Sequence, residues 1–440
     1  MITARAFAGK HYAVYGLARS GLATVEALLA SGAKVTAWDG KEEARGKAPE
    51  GAEITDLDQI DLTQFDSLVV TPGLPLNRHP IARRARAAGV EIIGDIELFA
   101  RARAELPPHK VVGITGTNGK STTTALVHHI LKTAGVPTTM GGNIGLPILS
   151  QDPLPEGGVY VLELSSYQID LTTSLDCDVA VLLNITPDHL DRYENFEAYA
   201  ASKARLFEMQ SEDRISVVAA DDHDTRTIHA HLLDRKRNGT VGVSTSDLND
   251  LSFWDANERS HQFDWPTLQG PHNAQNVATA IAVCRSLGVD EDDIEEGLFT
   301  YPGLPHRMER IREKDGVLFV NDSKATNAEA AAPALAAFPR VRWIVGGQAK
   351  AETLGDIAQH LGHVVRAYTI GEAGPMFERL LREAGVDAIS CETLENAVKR
   401  AAEDSQSGET VLLSPASASF DQFRDFEARG DRFRELVEGL

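Results

Sequence analysis

The sequence predicts an α/β protein of three domains, each built around a mostly parallel β-sheet. The chain has 440 residues, too many for one hydrophobic core at about 150 residues per domain. Short β-branched runs alternate with helical stretches along most of its length, which is typical of strand–helix–strand units. Two glycine-rich turns follow such runs and open predicted helices, as in nucleotide-binding domains.

The composition narrows the classes of partner and compartment. A formal net charge of -21 repels phosphate backbones, so no nucleic-acid partner is expected. No run approaches the roughly 20 apolar residues of a membrane span, and the start lacks a long apolar segment, so we expect a cytoplasmic protein without a membrane partner. Cys177, Cys284 and Cys391 lack metal-binding or disulfide spacing, which predicts buried reduced thiols.

Residues 1–98 are predicted to form a Rossmann-like first domain. Strands are expected at 12–15, 34–38, 67–71 and 91–93, with a helix over about 20–31. The turn after the first strand has dinucleotide-fingerprint spacing with alanine in its middle place, and Asp39 ends the second strand. The turn consists of Gly16, Leu17, Ala18, Arg19, Ser20 and Gly21. An NAD site, a uridine-diphosphate site and a merely tight strand–helix turn all fit this pattern.

Residues 99–303 are predicted to form a central parallel-sheet domain of P-loop ATPase type. A polar, proline-bearing linker is expected over 100–108, just after a boundary near residue 98. Strands are predicted at 159–164, 179–183 and 215–219, and helices near 196–210 and over 273–287. The stretch up to about residue 271 is predicted to be irregular and rich in strands.

A glycine-rich loop in this domain predicts an ATP site. It comprises Gly116, Thr117, Asn118, Gly119, Lys120, Ser121 and Thr122. Backbone amides of such a loop bind phosphates, Lys120 would reach the β- and γ-phosphates, and the Ser121 hydroxyl would bind Mg²⁺. The loop departs from strict P-loop spacing, because Ile114 stands where the first glycine belongs and Gly113 comes one place earlier.

Residues 304–440 are predicted to form a Rossmann-like third domain after a second linker around 301–305. Strands are expected at 317–320, 341–345, 364–370 and 410–413, separated by helices, and a closing helix runs to Glu438. This alternation is again that of a doubly wound sheet.

Polar residues follow the central strands at their carboxyl ends, where ligands gather in doubly wound domains. Glu163 follows one strand, and the run 184–191, which contains His189, follows the next. We expect Glu163 to join Ser121 on one Mg²⁺, because that ion prefers hard oxygen ligands. His189 is a candidate ligand for a second ion, with a solvated or hydrogen-bonded side chain as the alternative.

The loop and these strand-end runs resemble the Mur ligases of peptidoglycan synthesis and their folylpolyglutamate synthetase relatives, ATP-dependent enzymes that join a carboxylate to an amino group. The matching runs are Gly113–Ser121, Leu162–Ser166, Asn184–Asp191 and Ser202–Lys203. The resemblance implies two Mg²⁺ ions, held by Ser121, Glu163, His189 and a carbamylated Lys203. A carbamate offers oxygens where an ammonium would be repelled. On sequence alone, Lys203 would be an ordinary surface lysine.

The resemblance also assigns nucleotide and substrate contacts. Asn273 and Asn276 would face adenine, Arg307 would approach the ATP phosphates, and Asp322 would hold the ribose. For both asparagines a helix start is the alternative, and the two roles can coexist. The UDP-linked substrate would be held by Gly16, Leu17, Ala18, Arg19, Ser20, Asp39, Asn143, Ser165 and His189.

Two runs of the third domain, Asn321–Asn327 and Leu413–Phe423, resemble the branch of the family that adds D-glutamate. They imply that the two carboxylates of D-glutamate are held by Thr326, Lys350, Ser419 and the Phe426 backbone. Cationic or donor-rich partners, such as a lysine opposite a helix N-terminus near Ser419, suit a dicarboxylate. Lys350 follows Gln348-Ala349, where the family usually has an acidic residue and a glycine. As an alternative, Ser419 caps the last helix.

The resemblance covers the whole chain and implies a monomeric ligase that uses ATP to add D-glutamate to UDP-N-acetylmuramoyl-L-alanine through an acyl phosphate. The expected catalytic residues are Lys120, His189, Lys203, His306 and Arg307, and His189, His306 and the carbamate are alternative bases for the amine. Another Mur ligase or a folylpolyglutamate synthetase is the nearest alternative. An NAD-dependent oxidoreductase or a nucleotide-sensing module is the alternative from another class.

Overall fold

The computed structural model describes residues 1–188, 191–234, 239–245, 265, 267–268, 271–349 and 351–440. The predicted site residues His189 and Lys350 therefore lie outside the described residues. The chain forms two compact units, Met1–Glu258 with Gln275–Phe299, and Arg259–Ala274 with Thr300–Leu440. The first unit contains two β-sheets and the second contains one.

Strands are numbered in chain order within the described residues. They are β1 His11–Tyr15, β2 Lys34–Trp38, β3 Glu53–Ile54, β4 Ser67–Val70, β5 Glu91–Ile93, β6 His109–Thr115, β7 Thr138–Gly142, β8 Gly158–Glu163, β9 Val179–Leu182, β10 Ile215–Ala219, β11 Thr240–Val243, β12 Glu309–Lys314, β13 Val317–Asn321, β14 Val341–Gly346, β15 Val364–Ile370, β16 Ala388–Glu392 and β17 Thr410–Leu413.

The helices are numbered in the same way. They are α1 Arg19–Ala30, α2 Glu42–Arg45, α3 Pro80–Ala87, α4 Asp95–Ala102, α5 Lys120–Thr133, α6 Ser166–Asp170, α7 Phe196–Glu208, α8 His223–Asp234, α9 Pro271–Leu287, α10 Glu291–Thr300, α11 Ala328–Ala336, α12 Gly374–Glu383, α13 Leu394–Asp404 and α14 Phe426–Glu438. None of the helices within the described ranges is both long and apolar enough to cross a membrane.

The first sheet is parallel and has the strand order β3-β2-β1-β4-β5. Its central strands are almost wholly buried, as in β4, where all four residues are inaccessible. Parallel strands covered on both faces read as continuous apolar runs. The order reverses between β1 and β4, so the turn after β1 lies at the switch point where such sheets bind ligands.

The central sheet is also parallel, with the order β11-β10-β9-β6-β8-β7. Strand β6 pairs with both β8 and β9. The glycine-rich loop follows β6, Glu163 ends β8, and Asn184 follows β9. Because these strands are parallel neighbours, the three predicted site segments meet at one edge of the sheet.

The third sheet has the order β12-β13-β17-β14-β15-β16. All of its pairs are parallel except β12 with β13. The sequence pattern does not predict β12, whose Glu309–Lys314 segment carries five charged residues in six. Charged side chains are typical of edge strands, and they hide the period-2 pattern on which strand prediction depends.

The predicted class of three α/β domains is confirmed, and most predicted elements are found within one or two residues of their expected ends. The linker expected over 100–108 is an exception. Helix α4 runs to Ala102 and a 3₁₀ turn continues to Glu105, because Leu98, Phe99 and Ala102 are buried in the core. Residue 98 thus lies inside a helix, and the domain boundaries at 98 and 303 stay predictions.

Candidate active site

The glycine-rich loop joins β6 to α5 in a conformation that requires glycine. Gly119 caps α5 with a left-handed φ of 82° and no side-chain cap. A Cβ at Gly119 would lie 2.2 Å from Asn276 Oδ1, so the buried Asn276 can approach the loop only because the side chain is absent. The first amides of α5 therefore begin a helix without a side-chain acceptor from the capping residue, an arrangement that suits an anion.

Hydrogen bonds to the segment after β9 hold the glycine-rich loop in place. The Asn118 amide donates to Asn184 Oδ1 at 2.8 Å, and Asn184 Nδ2 donates back to Asn118 O at 3.1 Å. Thr117 Oγ1 accepts from the Thr186 amide at 3.0 Å and lies 3.1 Å from the Tyr199 hydroxyl. These bonds fix the loop before any ligand binds, which lowers the entropy cost of binding.

Two lysine ammonium groups converge on one backbone carbonyl beside the loop. Lys120 Nζ and Lys203 Nζ each donate to Gly116 O at 2.9 Å. Lys203 lies on α7, is only 2 % exposed and sits 4.6 Å from the centre of the Tyr199 ring. The alternative of a surface lysine is therefore wrong. Burial, together with the charge of Lys120, lowers the pKa of Lys203 to about 7.

Glu163 lies at the end of β8 with one oxygen engaged and the other unsatisfied. Its Oε1 accepts from Asn143 Nδ2 at 2.9 Å, whereas its buried Oε2 has no hydrogen-bond partner among the described residues. An unpaired buried carboxylate oxygen is costly, and a hard cation would satisfy it. Glu163 thus fits the predicted Mg²⁺ ligand, and Asn143, a predicted contact of the UDP-linked substrate, touches it directly.

Other predicted metal ligands are less informative. Ser121 lies in the first turn of α5 and is 8 % exposed. His189 is outside the described residues, and within the described ranges no three His, Cys, Asp or Glu side chains are grouped to hold a metal. The predicted set of Ser121, Glu163, His189 and Lys203 therefore stays a prediction.

Helix α9 carries both predicted adenine contacts. It begins at Pro271, so Asn273 lies in its first turn and is not an N-cap. Asn273 and Asn276 are three residues apart, which places them on one face of the helix. Asn276 Oδ1 accepts from Thr123 Oγ1 at 3.2 Å. The position of Asn276 beside Gly119 is consistent with a nucleotide contact, which stays a prediction for both residues.

The turn after β1 is organised by Asp39. Its Oδ2 accepts from the Leu17 amide at 2.8 Å, its Oδ1 from the Lys41 amide at 2.9 Å, and its carbonyl from Arg45 at 2.8 Å. Gly16 packs closely against Thr71, because a Cβ at Gly16 would lie only 2.4 Å from Thr71 Oγ1. Asp39 thus holds the backbone of the turn, and its contact with the UDP-linked substrate stays a prediction.

The remaining predicted substrate contacts lie along the same unit. Arg19 donates from its guanidinium to Gly145 O at 3.2 Å, two residues beyond Asn143. Ser20 lies in the first turn of α1, and Ala18 is its N-cap. Ser165 forms a capping box with Gln168 at the start of α6. Its hydroxyl therefore has a structural hydrogen-bond partner in addition to the predicted contact with the UDP-linked substrate.

In the second unit, the predicted ribose ligand Asp322 follows β13. Its Oδ2 accepts from Ser414 Oγ at 2.8 Å and its Oδ1 from the Met308 amide at 3.2 Å. Burial raises the pKa of Asp322 to about 7, against the opposing effects of these bonds and of the Arg307 charge. Arg307 therefore lies near Asp322, as the resemblance implies for two ATP contacts.

His306 is enclosed within the second unit. It is 6 % exposed, its Nδ1 lies 3.1 Å from Asn321 Nδ2, and its ring packs edge-on against Phe426. Burial lowers the pKa of His306. The enclosure favours a structural role for this histidine over that of a base for an incoming amine.

Arg429, which no sequence pattern identifies, joins the two segments that are predicted to bind D-glutamate. It is 1 % exposed and donates to Ser323 Oγ, Ser323 O, Ser417 O and Ala418 O at 3.0, 2.9, 3.0 and 3.3 Å. The arginine stands in a charged helical run, so no pattern separated it from a solvated face. Asn184 is likewise not predicted as a site residue, although it begins the run 184–191 that follows β9.

The predicted D-glutamate residues are close to this arginine in sequence and fold. Ser419 is 2 % exposed and follows the Ala418 that Arg429 binds. Phe426 O accepts from Ser323 Oγ at 2.8 Å, and Lys324 Nζ lies 3.9 Å from the centre of the Phe426 ring. Thr326 follows the same β13 segment. The last helix begins at Phe426 with Asp425 as its cap, so neither a helix start near Ser419 nor capping by Ser419 is found.

The parallel sheets and the loop after β6 define a nucleotide-binding α/β protein of P-loop type. Family models match three stretches of the chain: a Mur ligase MurD-like N-terminal domain at residues 10–94, a Mur ligase middle domain at 114–284, and a Mur ligase glutamate ligase domain at 306–417. The chain belongs to the Mur ligase family.

Curated relatives match the chain over its whole length. It is 59 % identical over 440 residues to the UDP-N-acetylmuramoylalanine--D-glutamate ligase of Novosphingobium aromaticivorans, covering 100 % of this chain and 97 % of that one. It is 60 % identical over 449 residues to the enzyme of that name from Sphingopyxis alaskensis, with 100 % of both covered.

Solved structures share the fold. The UDP-N-acetylmuramate-alanine ligase MurC of Thermotoga maritima aligns with a TM-score of 0.59 at 19 % identity, over 98 % of this chain and 99 % of that one. The MurF ligase of Thermotoga maritima in complex with ADP aligns with a TM-score of 0.58 at 19 % identity, over 99 % and 96 %.

Proposed function

We infer that this protein is an ATP-dependent ligase that adds D-glutamate to UDP-N-acetylmuramoyl-L-alanine in the synthesis of peptidoglycan precursors. The observation that carries this conclusion is the full-length identity of 59–60 % to ligases named for that reaction. The loop ending in Gly119-Lys120-Ser121 supplies the phosphate-binding chemistry that the reaction needs. The family is ATP-dependent, which implies ATP with Mg²⁺.

In the first step the substrate carboxylate attacks the γ-phosphate of ATP, and ADP leaves as an acyl phosphate forms. Lys120 would release its loop carbonyls and bind the phosphates, while the amides of α5 face the same charge. Ser121 and Glu163 would hold Mg²⁺, which offsets charge on the phosphates when bound. Arg307 would neutralise further charge, and Asp322, Asn273 and Asn276 would hold the nucleoside.

We propose that Lys203 is carbamylated and, with His189, holds a second Mg²⁺. A buried amine whose pKa is about 7 is partly unprotonated at neutral pH. Its nitrogen can therefore form a bond to CO₂ and release a proton. The resulting carbamate would remove the repulsion between two ammonium groups beside Gly116 O. The burial of Lys203 and its contact with the loop support this proposal.

In the second step the D-glutamate amine attacks the acyl carbon and phosphate leaves. We propose that Thr326, Lys350, Ser419 and the Phe426 backbone hold the two carboxylates, with Arg429 keeping their segments together. The amine must lose a proton, and the enclosure of His306 leaves His189 and the carbamate as the better candidates. The turn of Gly16–Ser20 with Asp39, Asn143 and Ser165 would hold the UDP-linked substrate.

The partners we propose are these small molecules alone, with the protein acting as a monomer. Because ATP and a UDP-linked sugar are its substrates, we place the reaction in the cytoplasm. Sedimentation of the protein with and without substrates measures the oligomeric state, and a dimer would contradict the monomer.

Phosphate release tests the function. We expect release only when ATP, UDP-N-acetylmuramoyl-L-alanine and D-glutamate are all present, with L-alanine, L-glutamate and L-lysine far poorer acceptors. Lys120→Ala should abolish release while leaving the thermal unfolding midpoint close to that of the parent, because the side chain acts on phosphate charge. Equal turnover with L-alanine would place the chain with another member of the family.

A further inference from the structure

We propose that Arg192 is a positioning residue that fixes the loop after β9 onto the loop after β4, and so sets how the UDP-linked substrate meets the phosphate loop. The inference rests on the proposed function, because it concerns the placement of that substrate. Both loops belong to the first compact unit. The sequence pattern does not predict a contact between these two loops.

Four hydrogen bonds run between the two loops, and in both directions. Arg192 donates to Leu74 O at 2.9 Å and to Gly73 O at 2.6 Å. Asn77 and Arg78 donate to Asp191 O, each at 3.0 Å. We call these four bonds the latch. Each loop supplies both side-chain donors and backbone acceptors, so a shift of either loop breaks bonds of both kinds.

The Arg192 guanidinium is held on its face as well as at its edges. Its centre lies 4.7 Å from the centre of the Tyr167 ring on α6. That ring also stacks on Tyr193, at 6.1 Å between centres and 16° between planes. A planar group that donates to two carbonyls while stacking on an aromatic ring cannot be replaced by an ammonium group.

Side chains only partly fill the space beside the latch. A cavity of about 560 Å³ lies beside it. Residues from both loops and from α6 line the cavity, among them Leu74, Leu76, Asn77, Tyr167, Arg192 and Tyr193. Because side chains do not fill this space, the hydrogen bonds of the latch set the local spacing of the two loops on the side of the cavity.

Each loop continues into a part of the candidate site. The loop after β4 starts at Thr71, which packs on the Gly16 turn, and its Thr71 amide donates to Tyr15 O at 3.2 Å. The loop after β9 starts with Asn184 and Thr186, which hold the phosphate loop. The latch therefore joins the turn proposed for the UDP moiety to the segment that positions the ATP phosphates. Small displacements between reacting groups lower rates steeply.

The test compares Arg192→Lys with Arg84→Lys. Arg84 is a matched control because it also donates to two carbonyls, Leu57 O at 2.7 Å and Ile60 O at 2.5 Å, but within the first domain. We expect similar thermal unfolding midpoints for both variants. Only Arg192→Lys should lower kcat/KM for the UDP-linked substrate, by about 10-fold to 100-fold, with the KM for ATP within about 2-fold.

Calorimetric binding of UDP-N-acetylmuramoyl-L-alanine without ATP gives a second readout, and we expect Arg192→Lys to weaken it where Arg84→Lys does not. Asn77→Ala, at an exposed position, should act in the same direction, and its effect should shrink in the Arg192→Lys background because both belong to one latch. Equal behaviour of the Arg192 and Arg84 variants would overturn the latch. Absence of phosphate release by the unmutated protein with all three substrates present would instead overturn the proposed function, and the latch with it.

Discussion

Two regions of the molecule bury charged groups but differ in how those groups are paired. The first is the sheet edge of the first unit that carries the glycine-rich loop, and the second is formed by the segments after β13 and β17 of the second unit. At the first, Glu163 Oε2 has no partner among the described residues, and two lysine ammonium groups share Gly116 O. At the second, Arg429 has four acceptors and both oxygens of Asp322 accept hydrogen bonds.

The difference indicates two kinds of preorganisation. The first region has a buried carboxylate oxygen without a donor among the described residues and a buried amine of lowered pKa. Its electrostatics improve when a cation binds and a carbamate forms. A buried guanidinium with four acceptors is a finished scaffold that orders the segments around it. Variants of the first region should therefore lower the rate of catalysis, and variants of the second should weaken the binding of the acceptor amino acid.

Lys203→Ala should break the first region most completely. We expect kcat to fall by about 1,000-fold, because the variant loses the proposed oxygen ligand of the second Mg²⁺ and, with that ion, part of the neutralisation of the phosphates. Short carboxylates such as acetate or formate should restore part of the rate by entering the space left beside Gly116 O. Lys203→Arg keeps a cation at this place but cannot be carbamylated and leaves no space for a carboxylate, so it should not be rescued. Full activity of Lys203→Ala would show that the buried amine has no role in the reaction.

Lys350→Ala and Ser419→Ala should sharpen the second side of the comparison. Loss of a charge-assisted bond to a D-glutamate carboxylate costs about 2 to 4 kcal/mol, so Lys350→Ala should raise the KM for D-glutamate by roughly 30-fold to 1,000-fold. Ser419→Ala loses a neutral hydroxyl bond and should raise the same constant by about 2-fold to 10-fold. Steady-state kinetics should show little change in the KM for ATP. A loss of ATP affinity at constant D-glutamate KM would assign Lys350 to the nucleotide.

The smallest effects should appear in the pH dependence of stability, with opposite signs in the two regions. The pKa of Lys203 is lowered from 10.5 to about 7, so the unfolded chain binds more protons between these values and the free energy of unfolding rises with pH. The pKa of Asp322 is raised from 3.8 to about 7, so the folded chain binds more protons there and the free energy falls as pH rises. Each slope is at most about 1.4 kcal/mol per pH unit.

Urea denaturation across pH in CO₂-free buffer measures these slopes. Lys203→Met should remove the rise above pH 7, and Asp322→Asn should remove the fall below pH 7. Unchanged slopes in both variants would mean that the two groups titrate normally in the folded protein.

The sequence by itself determined the α/β class, the phosphate loop and the strand ends at which Glu163 and Asn184 stand. These features depend on local spacing, since a glycine-rich turn between an apolar run and a helix has few alternative structures. Because parallel strands align their carboxyl ends, strand order along the chain was enough to predict that the polar segments gather at one edge.

The tertiary structure alone decided which of the charged residues are buried and what they contact. It buries Lys203, which the sequence could not distinguish from a surface lysine. It also makes the carboxylate of Asp39 an acceptor for two backbone amides. It also placed Arg429 and Arg192 between segments that are distant in the sequence, and it turned the charged β12 into an antiparallel edge strand. Burial and long-range hydrogen bonding depend on packing between elements, and local periodicity carries no record of which elements will meet.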